Sequence, residues 1–137
     1  MKFFKIKSYA KLNISLNVLK KITSNLHDIE SLVTFIELHD LIYIRQINTA
    51  KHIVKFSGKF SKNINKKNTV NKLLNLLDQK KLLKEKKFKI KLIKNIPQKS
   101  GLGGGSINAA SIIKFFLKRK LIKLNKKKIN IILKSIG

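Results

Sequence analysis

The segment from Ile96 to Ala110 constrains the fold more than any other part of the chain, because it holds four glycines within five positions. It reads IPQKSGLGGGSINAA, follows a strand pattern at residues 88–94 and leads into an apolar helical pattern. Glycine costs backbone entropy on folding, so a cluster of this kind indicates close approach of a ligand or another backbone. Between a strand and a helix the expected ligand is a phosphate group, bound by loop N–H groups and the helix N-terminus. The alternative is a glycine-rich connection that binds nothing.

Two common phosphate-binding patterns do not fit this loop. A Walker A loop ends in Gly-Lys-Ser or Gly-Lys-Thr, whereas here Ser106 follows Gly105 directly. A dinucleotide-binding fingerprint needs an acidic residue about 20 positions farther on, and residues 123–128 are instead rich in lysine. A phosphate site in this loop would therefore belong to a different fold.

The net charge of +26 is the second strong feature, with 32 Lys and Arg against 6 Asp and Glu. Taken alone it favours binding to nucleic acid or to an anionic membrane. The lysines, however, are spread along the whole chain, and arginine, which makes bidentate phosphate and base contacts, occurs only at Arg45 and Arg119. Codon bias toward Lys, Ile and Asn is enough to produce such a composition. Nonspecific polyanion binding is expected in vitro, but neither nucleic acid nor a membrane is the expected biological partner.

Composition also excludes several kinds of site. The chain has no cysteine, and its three histidines, His27, His39 and His52, have no short ligand spacing, so a structural zinc site or a disulfide framework is not expected. No apolar stretch has transmembrane length, and no signal-peptide cleavage pattern follows the N-terminus. The sequence predicts a cytoplasmic protein with one domain over residues 1–137, long enough for a hydrophobic core.

Period-two alternation predicts the strands. They are expected at residues 3–8, 12–18, 41–45, 52–57 and 88–92, with a further extended segment over 27–36, for which a helix over 29–35 is the alternative. Breaks are expected at Tyr9–Lys11, in a polar loop from Lys20 to Leu26, and at a turn over Leu38–Asp40.

Apolar residues at helical spacing predict three helices. The first begins at Asn68 as the capping residue, the second follows the glycine loop with Ser106 as its N-cap, and the third begins at Asn125. The apolar positions are Val70, Leu73, Leu74, Leu76 and Leu77 in the first helix, Ala109, Ala110, Ile113, Phe116 and Leu117 in the second, and Ile129, Ile132, Leu133 and Ile136 in the third. Strands followed by helix, strand and helix predict an α+β domain with the helices on one face of the sheet.

Four residues are candidates for chemistry. Lys11, at the expected entrance of the second strand, could supply positive charge to a transferred phosphoryl group or an activated hydroxyl, although an ordinary surface lysine is the alternative. Asn13 lies beside it on the polar face and suits hydroxyl recognition, and His27 either binds a ligand or caps a turn. Ser106, where loop and helix meet, is a candidate Mg²⁺ or phosphate ligand. None of the six acids lies near the loop in sequence, so a carboxylate there must come from elsewhere in the fold.

Three motifs in order resemble one known superfamily. Ala10-Lys11-Leu12-Asn13, then His27, then Pro97 to Ala110 resemble the GHMP kinases, and within them the 4-diphosphocytidyl-2-C-methyl-D-erythritol kinases. The resemblance covers the whole chain. It implies a fold like the second domain of ribosomal protein S5, with a left-handed β-α-β arrangement and a mixed sheet that carries helices on one face.

The resemblance also implies an activity and roles for individual residues. The activity is ATP-dependent phosphorylation of the 2-hydroxyl of 4-diphosphocytidyl-2-C-methyl-D-erythritol in the non-mevalonate isoprenoid (terpenoid) pathway, with ATP as cosubstrate and Mg²⁺. Lys11 would be the catalytic lysine, Asn13 would contact the methylerythritol hydroxyls, His27 would recognise the cytosine, and Asn68 would lie near the adenine. Ser106 would lie near the Mg²⁺. The ATP phosphate loop would comprise Pro97, Gln98, Lys99, Ser100, Gly101, Leu102, Gly103, Gly104, Gly105, Ser106 and Ile107.

The chain departs from the family pattern in three places. Leu26 stands where the family favours a tyrosine that stacks on cytosine, and Ile107 replaces a second serine. After Gly137 the family continues into Gly-Ala-Asp-Val-Pro, whose aspartate is the proposed base, and then into a C-terminal domain. The expectation is an N-terminal ATP-binding half with little turnover by itself, unless a companion chain supplies the rest. The alternatives are a basic S5-like RNA-binding module and another GHMP kinase of the homoserine or mevalonate type.

Overall fold

The computed structural model describes residues 2–23, 26–100, 102 and 104–137, and within residues 12–35 it describes the backbone alone. Four strands and three helices follow one another along these described residues. They are β1 (Phe4–Thr23), β2 (Leu26–Ile47), β3 (Ile53–Ser57), α1 (Thr69–Gln79), β4 (Lys87–Ile93), α2 (Gly104–Lys118) and α3 (Lys126–Ile136).

The strands form one mixed sheet in the order β1-β2-β4-β3. β1 pairs with β2, and β2 with β4, in antiparallel register, whereas β3 runs parallel to β4. Parallel neighbours need a crossover connection, and α1 supplies it between β3 and β4. The predicted α+β class with a mixed sheet is confirmed.

The hydrophobic core lies between the sheet and the three helices. Alternation along β2 and β4 turns Ile42, Ile44, Ile90 and Leu92 inward, and each is at most 1% exposed. The helices contribute the buried residues Val70, Leu73, Leu74, Leu77, Ala109, Ile112, Ile113, Phe116, Ile132 and Ile136. One contiguous apolar cluster thus joins all three helices to one face of the sheet.

Two predicted interruptions of the strands are wrong. β1 continues through Tyr9–Lys11 and β2 continues through Leu38–Asp40. The β1–β2 register shifts between Tyr9 and Lys11. The break in alternation is therefore an irregularity within a continuous strand pair and not the end of the strand. The predicted polar loop is also too long, because β1 extends to Thr23. Lys11 therefore lies inside a strand and not at its entrance.

The starts of two helices agree with the sequence, and the third does not. The side chain of Asn68 accepts a hydrogen bond from Asn71 N at 2.9 Å, and that of Asn125 accepts one from Lys128 N at 2.8 Å. α2, in contrast, begins at Gly104, so the prediction that Ser106 caps it is wrong. The poor helix propensity of glycine favours a later start, but the backbone must enter the helix early here. A Cβ on Gly104 would lie 3.2 Å from Ile96 Cγ2, so glycine lets the first turn pack against the end of β4.

Candidate functional site

An open pocket of about 960 Å³ lies between the segment that leads into α1 and the first turn of α2. Its volume is at the upper end of the range typical of small-molecule sites, roughly 300–1,000 Å³. All described residues of the predicted phosphate loop line the pocket except Leu102 and Ile107. The other lining residues are Phe56, residues 62–65, Asn68, Thr69, Val70, Lys94 and Asn108.

Two helix N-termini meet at this pocket. Thr69, the first residue of α1, donates its hydroxyl to the carbonyl of Gly105 in the first turn of α2, at 2.9 Å. Each helix N-terminus carries a partial positive charge. Lys62, Lys94 and Lys99 add cationic side chains, and no acidic residue is among the described residues that line the pocket. The pocket is therefore electrostatically suited to an anion.

The loop between β4 and α2 is fastened on both sides. Gln98 Nε2 donates to the carbonyl of Phe60 at 2.8 Å and to that of Lys62 at 2.9 Å. On the other side, the backbone N–H of Lys11 donates to the carbonyl of Leu102 at 3.0 Å. Thus the structure brings the backbone of Lys11, in β1, into direct contact with the predicted phosphate loop that follows β4, and the side chain of Lys11 is exposed.

A buried carboxylate lies behind the pocket. Asp40 is fully buried, and its Oδ1 accepts hydrogen bonds from the backbone N–H groups of Asn95 at 2.6 Å and Ile96 at 2.9 Å. Its Oδ2 accepts from Lys94 Nζ and from Asn108 Nδ2, the latter at 3.0 Å. Charge-assisted hydrogen bonds of this kind are about twice as strong as neutral ones. Asp40 therefore ties β2 to the end of β4 and to α2.

Asn108 presents a free acceptor at the same place. It is 2% exposed and it lines the pocket. Its Nδ2 is bonded to Asp40, while its Oδ1 is buried with no donor among the described residues. An unpaired buried oxygen is unfavourable, so a ligand N–H or O–H group that reached Oδ1 past the pocket wall would gain a partner there.

Asp40, Lys94 and Asn108 were not among the site residues predicted from the sequence. A signal was present, because Lys94 continues the inward phase of Phe88, Ile90 and Leu92 along β4. Asp40 likewise shares the inward phase of Ile42 and Ile44 in β2. A charged residue at an inward strand position requires a buried partner, and two such positions on adjacent strands indicate a pair. The unpaired amide of Asn108 carries no comparable signal.

The remaining predicted residues divide into two groups. Ser106 is exposed in the first turn of α2 and lines the pocket together with Asn68. The side chains of Asn13 and His27 lie outside the described residues. Their backbones pair with Val33 and Lys21, respectively, in the β1–β2 ladder.

Neither a metal cluster nor a membrane helix occurs in the described part of the chain. No group of three or more His, Asp or Glu side chains among the described residues could hold a metal ion. None of the helices in residues 2–23, 26–100 and 104–137 combines the length and apolar character needed to cross a membrane.

Residues 68–137 match the sequence profile of the GHMP kinases N terminal domain. The chain belongs to this family. Over its whole length it is 58% identical to a 4-diphosphocytidyl-2-C-methyl-D-erythritol kinase of Pelagibacter ubique and 35% identical to the kinase of that name from a Wolbachia of Brugia malayi. In each case it covers 48% of the relative. The chain thus spans about half the length of these curated relatives.

Solved structures support the same fold. The crystal structure of a 4-(cytidine 5'-diphospho)-2C-methyl-D-erythritol kinase superposes with a TM-score of 0.71 at 20% identity, over 98% of this chain and 46% of that one. Homoserine kinase from Cytophaga hutchinsonii gives a TM-score of 0.66 at 15% identity, over 99% of this chain and 41% of its own. At such identities the two structures establish the fold and not the substrate.

Proposed function

We propose that this chain is the ATP-binding half of a kinase that phosphorylates the 2-hydroxyl of 4-diphosphocytidyl-2-C-methyl-D-erythritol in the non-mevalonate isoprenoid pathway. The observation that carries the ATP-binding part is the pocket formed by the N-termini of α1 and α2, which has lysines and no described acid on its walls. The relatives support the choice of substrate, because they match the chain from end to end and carry that kinase name.

The phosphates of ATP would lie against the loop from Pro97 to Ile107. Phosphate oxygens need donors, and the first turn of a helix offers backbone N–H groups that have no intrahelical partner. Gly105 is exposed at the pocket wall, so it permits close approach of a phosphate to the backbone. The fastening of the loop by Gln98 and Lys11 supports this role, because preorganised donors need no rearrangement when charge develops.

Lys11 would act as the catalytic lysine. Its backbone is bonded to the phosphate loop, and its side chain is exposed. An ammonium group next to the transferred phosphoryl group would stabilise the charge that spreads over the phosphoryl oxygens in the transition state. Asn13 is two residues farther along β1, and we assign it to the methylerythritol hydroxyls. His27 would bind the cytosine.

Mg²⁺ would reach the site together with the ATP phosphates. Ser106 offers one hydroxyl at the pocket, and no described residue of the pocket wall offers a carboxylate. Asp40 is the one buried acid among the residues whose side chains are described, but four donors already occupy it. One hydroxyl and no free carboxylate suit a Mg²⁺ ion that is held mainly by the phosphates of ATP, as is common for Mg²⁺. We assign no chemical step to the ion.

Titration of the isotope-labelled chain by NMR tests the proposal. A non-hydrolysable ATP analogue with Mg²⁺ should shift the resonances of residues 68–70 and 98–106 in a saturable manner. Subsequent addition of 4-diphosphocytidyl-2-C-methyl-D-erythritol should shift those of Asn13 and His27. Shifts confined to the basic open face of the sheet, at Arg45, Lys89 and Lys91, would indicate polyanion binding and contradict the proposal.

Turnover provides a second test. The resemblance to the kinases implies a base in the segment that follows the position of Gly137, so we expect the 137-residue chain alone to transfer little phosphate from ATP to the substrate. Addition of the remaining half as a separate chain should raise the rate if the two halves assemble. Turnover by this chain alone at the rate of a complete relative would refute the assignment of that base. Cytoplasmic location stays a prediction.

A further inference from the structure

Asp40 is the most heavily bonded side chain of the described structure, and the proposed reaction gives it no direct task. Its two oxygens accept four hydrogen bonds, from Lys94 Nζ, Asn95 N, Ile96 N and Asn108 Nδ2. The residue is completely buried, and it is absent from the pocket wall. Two of its four partners, Lys94 and Asn108, do line the pocket. Asp40 can therefore act on a ligand only through them.

The carboxylate determines which way the amide of Asn108 points. A carboxylate accepts hydrogen bonds and donates none, so only the Nδ2 group of Asn108 can face it. The Oδ1 atom must then point away from Asp40, and it is left as a buried acceptor without a described partner. The amide orientation follows from the chemistry of its neighbour and does not depend on distinguishing N from O in the side chain.

A free acceptor at this position distinguishes between parts of a nucleotide. Phosphate oxygens are themselves acceptors and cannot pair with Asn108 Oδ1, whereas the nucleoside offers N–H and O–H donors. The phosphate group is instead suited to the helix N-terminus and the loop N–H groups. The two kinds of group therefore use separate parts of the pocket.

Asp40 also fixes the point at which the phosphate loop begins. Its Oδ1 bonds hold the backbone of Asn95 and Ile96, the two residues that immediately precede Pro97. Asn95 Nδ2 donates in addition to the carbonyl of His39 at 3.0 Å. The same carboxylate thus sets both the loop and the amide of Asn108.

We propose that Asp40 is a positioning residue that keeps the Asn108 amide oxygen turned away from itself as the buried acceptor beside the pocket, so that a nucleoside donor that enters there pairs with it and the pocket selects a nucleoside triphosphate over an inorganic polyphosphate. This inference depends on the proposed nucleotide site, and it adds the residue that determines the selectivity of that site. Lys94 is held by the same carboxylate, which keeps its ammonium group beside the first turn of α2, where a Cβ on Gly104 would lie 3.6 Å from Lys94 Nζ.

The substitution Asp40→Asn tests the proposal. Asparagine offers one acceptor oxygen and an NH₂ donor, so it cannot satisfy four donors. Its oxygen stays with the fixed backbone N–H groups of Asn95 and Ile96, so its NH₂ group faces Asn108. The amide of Asn108 then turns its oxygen toward residue 40 and its own NH₂ group away from it. The measured quantity is the ratio of the dissociation constants of tripolyphosphate and of a non-hydrolysable ATP analogue. We expect this ratio to fall by about ten-fold or more, the effect of leaving one buried hydrogen-bonding group unpaired.

Asp78→Asn is the matched control. Asp78 also accepts a hydrogen bond from a lysine, Lys87, at 2.8 Å and lies 3.0 Å from His52, but it does not line the pocket. Its substitution should leave the ratio unchanged. If Asp40 had a purely structural role, its substitution would weaken the binding of both ligands by the same factor, and the ratio of their dissociation constants would not change.

A second pair of variants covers the case in which Asp40→Asn does not fold, because it leaves the Lys94 ammonium buried without a partner. The double variant Asp40→Asn, Lys94→Met removes that charge. It is compared with Lys94→Met alone, in which Asp40 keeps its other three donors. The ratio should again fall by about ten-fold between reference and combined variant. Circular dichroism and a cooperative thermal transition establish that each variant folds.

The outcomes are distinct. A wild-type chain that binds tripolyphosphate and the ATP analogue equally well, or binds neither, overturns the proposed nucleotide site and this inference together. If the wild-type chain prefers the ATP analogue and neither Asp40→Asn nor its combination with Lys94→Met lowers the ratio of dissociation constants relative to its reference, the role of Asp40 is refuted. The proposed nucleotide site is then still supported. A fall of the ratio in either comparison, with Asp78→Asn unchanged, supports the role.

Discussion

Replacement of Gly58 by alanine should destabilise the fold more than any other glycine substitution among those the structure describes. Gly58 follows β3 with a φ of +97°, a value that costs an L side chain of order 1–3 kcal/mol. A Cβ there would lie 2.8 Å from Lys94 N and 2.9 Å from Lys94 O. Both neighbours are backbone atoms, so the end of β4 would have to move.

That movement would disturb two backbone hydrogen bonds, from Lys94 N to Ser57 O at 2.7 Å and from Phe60 N to Lys94 O at 3.2 Å. Each contributes about 0.5–1.5 kcal/mol. Together with the backbone strain, and less about 0.4–1 kcal/mol from the stiffer unfolded chain, Gly58→Ala should cost about 1–6 kcal/mol, with a central value of about 3 kcal/mol. Because Lys94 lines the pocket, ligand binding should weaken as well.

Urea denaturation followed by circular dichroism measures this cost, and Gly105→Ala is the control. The new Cβ at Gly105 would meet Thr69 Oγ1 at 3.4 Å, an ordinary contact, and alanine is the better helix former by up to about 1 kcal/mol. We expect Gly105→Ala to be neutral or slightly stabilising. A Gly58→Ala variant within about 1 kcal/mol of the wild type, a change small for a mutation that strains the backbone, would refute the steric reasoning.

Two further predictions concern charge. Burial opposes ionisation of Asp78, but its hydrogen bonds and ionic contacts with a lysine and a histidine hold its pKa below the usual range. The ionised Asp78 therefore contributes its full stabilisation above the unfolded-state pKa of about 4, and this stabilisation is lost as the pH falls through the lower folded-state pKa. In the Asp78→Asn variant, the urea concentration at the unfolding midpoint should depend less on pH below about pH 4 than in the wild type. Partial desolvation and the charges of Lys55, Lys91 and Arg45 lower the pKa of Lys89 on the open sheet face. Screening of this crowding by about 0.5 M NaCl should raise the melting temperature, and Lys89→Gln should reduce that rise; an unchanged salt response would contradict the account.

Local features of the sequence predicted much of the fold. Asn68 and Asn125 begin their helices because each bonds to a backbone N–H three residues on, and such an interaction needs no tertiary context. The alternation along β4 is likewise confirmed, because inward and outward positions there differ in burial as the pattern indicates.

Long-range contacts account for what the sequence could not predict. Asp40 is separated by 54 residues from Lys94 and by 68 from Asn108, so their contact depends on how β2 pairs with β4 and how α2 packs. The early start of α2 also depends on tertiary structure, because it follows from the packing of Gly104 against Ile96.

The continuity of β1 and β2 has a similar cause. Each strand lines up against the other along most of its length, and that pairing overrides the local interruption at Tyr9–Lys11. The specific ligand groups proposed for Asn13 and His27 come from the resemblance to the kinases, because the residues themselves indicated only hydroxyl recognition for Asn13 and either ligand binding or turn capping for His27.

The measurement that tests the account most directly is calorimetric titration of the 137-residue chain with a non-hydrolysable ATP analogue at several salt concentrations, compared with a single-stranded RNA. A nucleotide site predicts one saturable binding event per chain that persists at high salt, while RNA binding weakens steeply as counterions compete. Binding of both ligands that disappears together as salt rises would show that the +26 charge alone attracts them, and would contradict the assignment of the pocket.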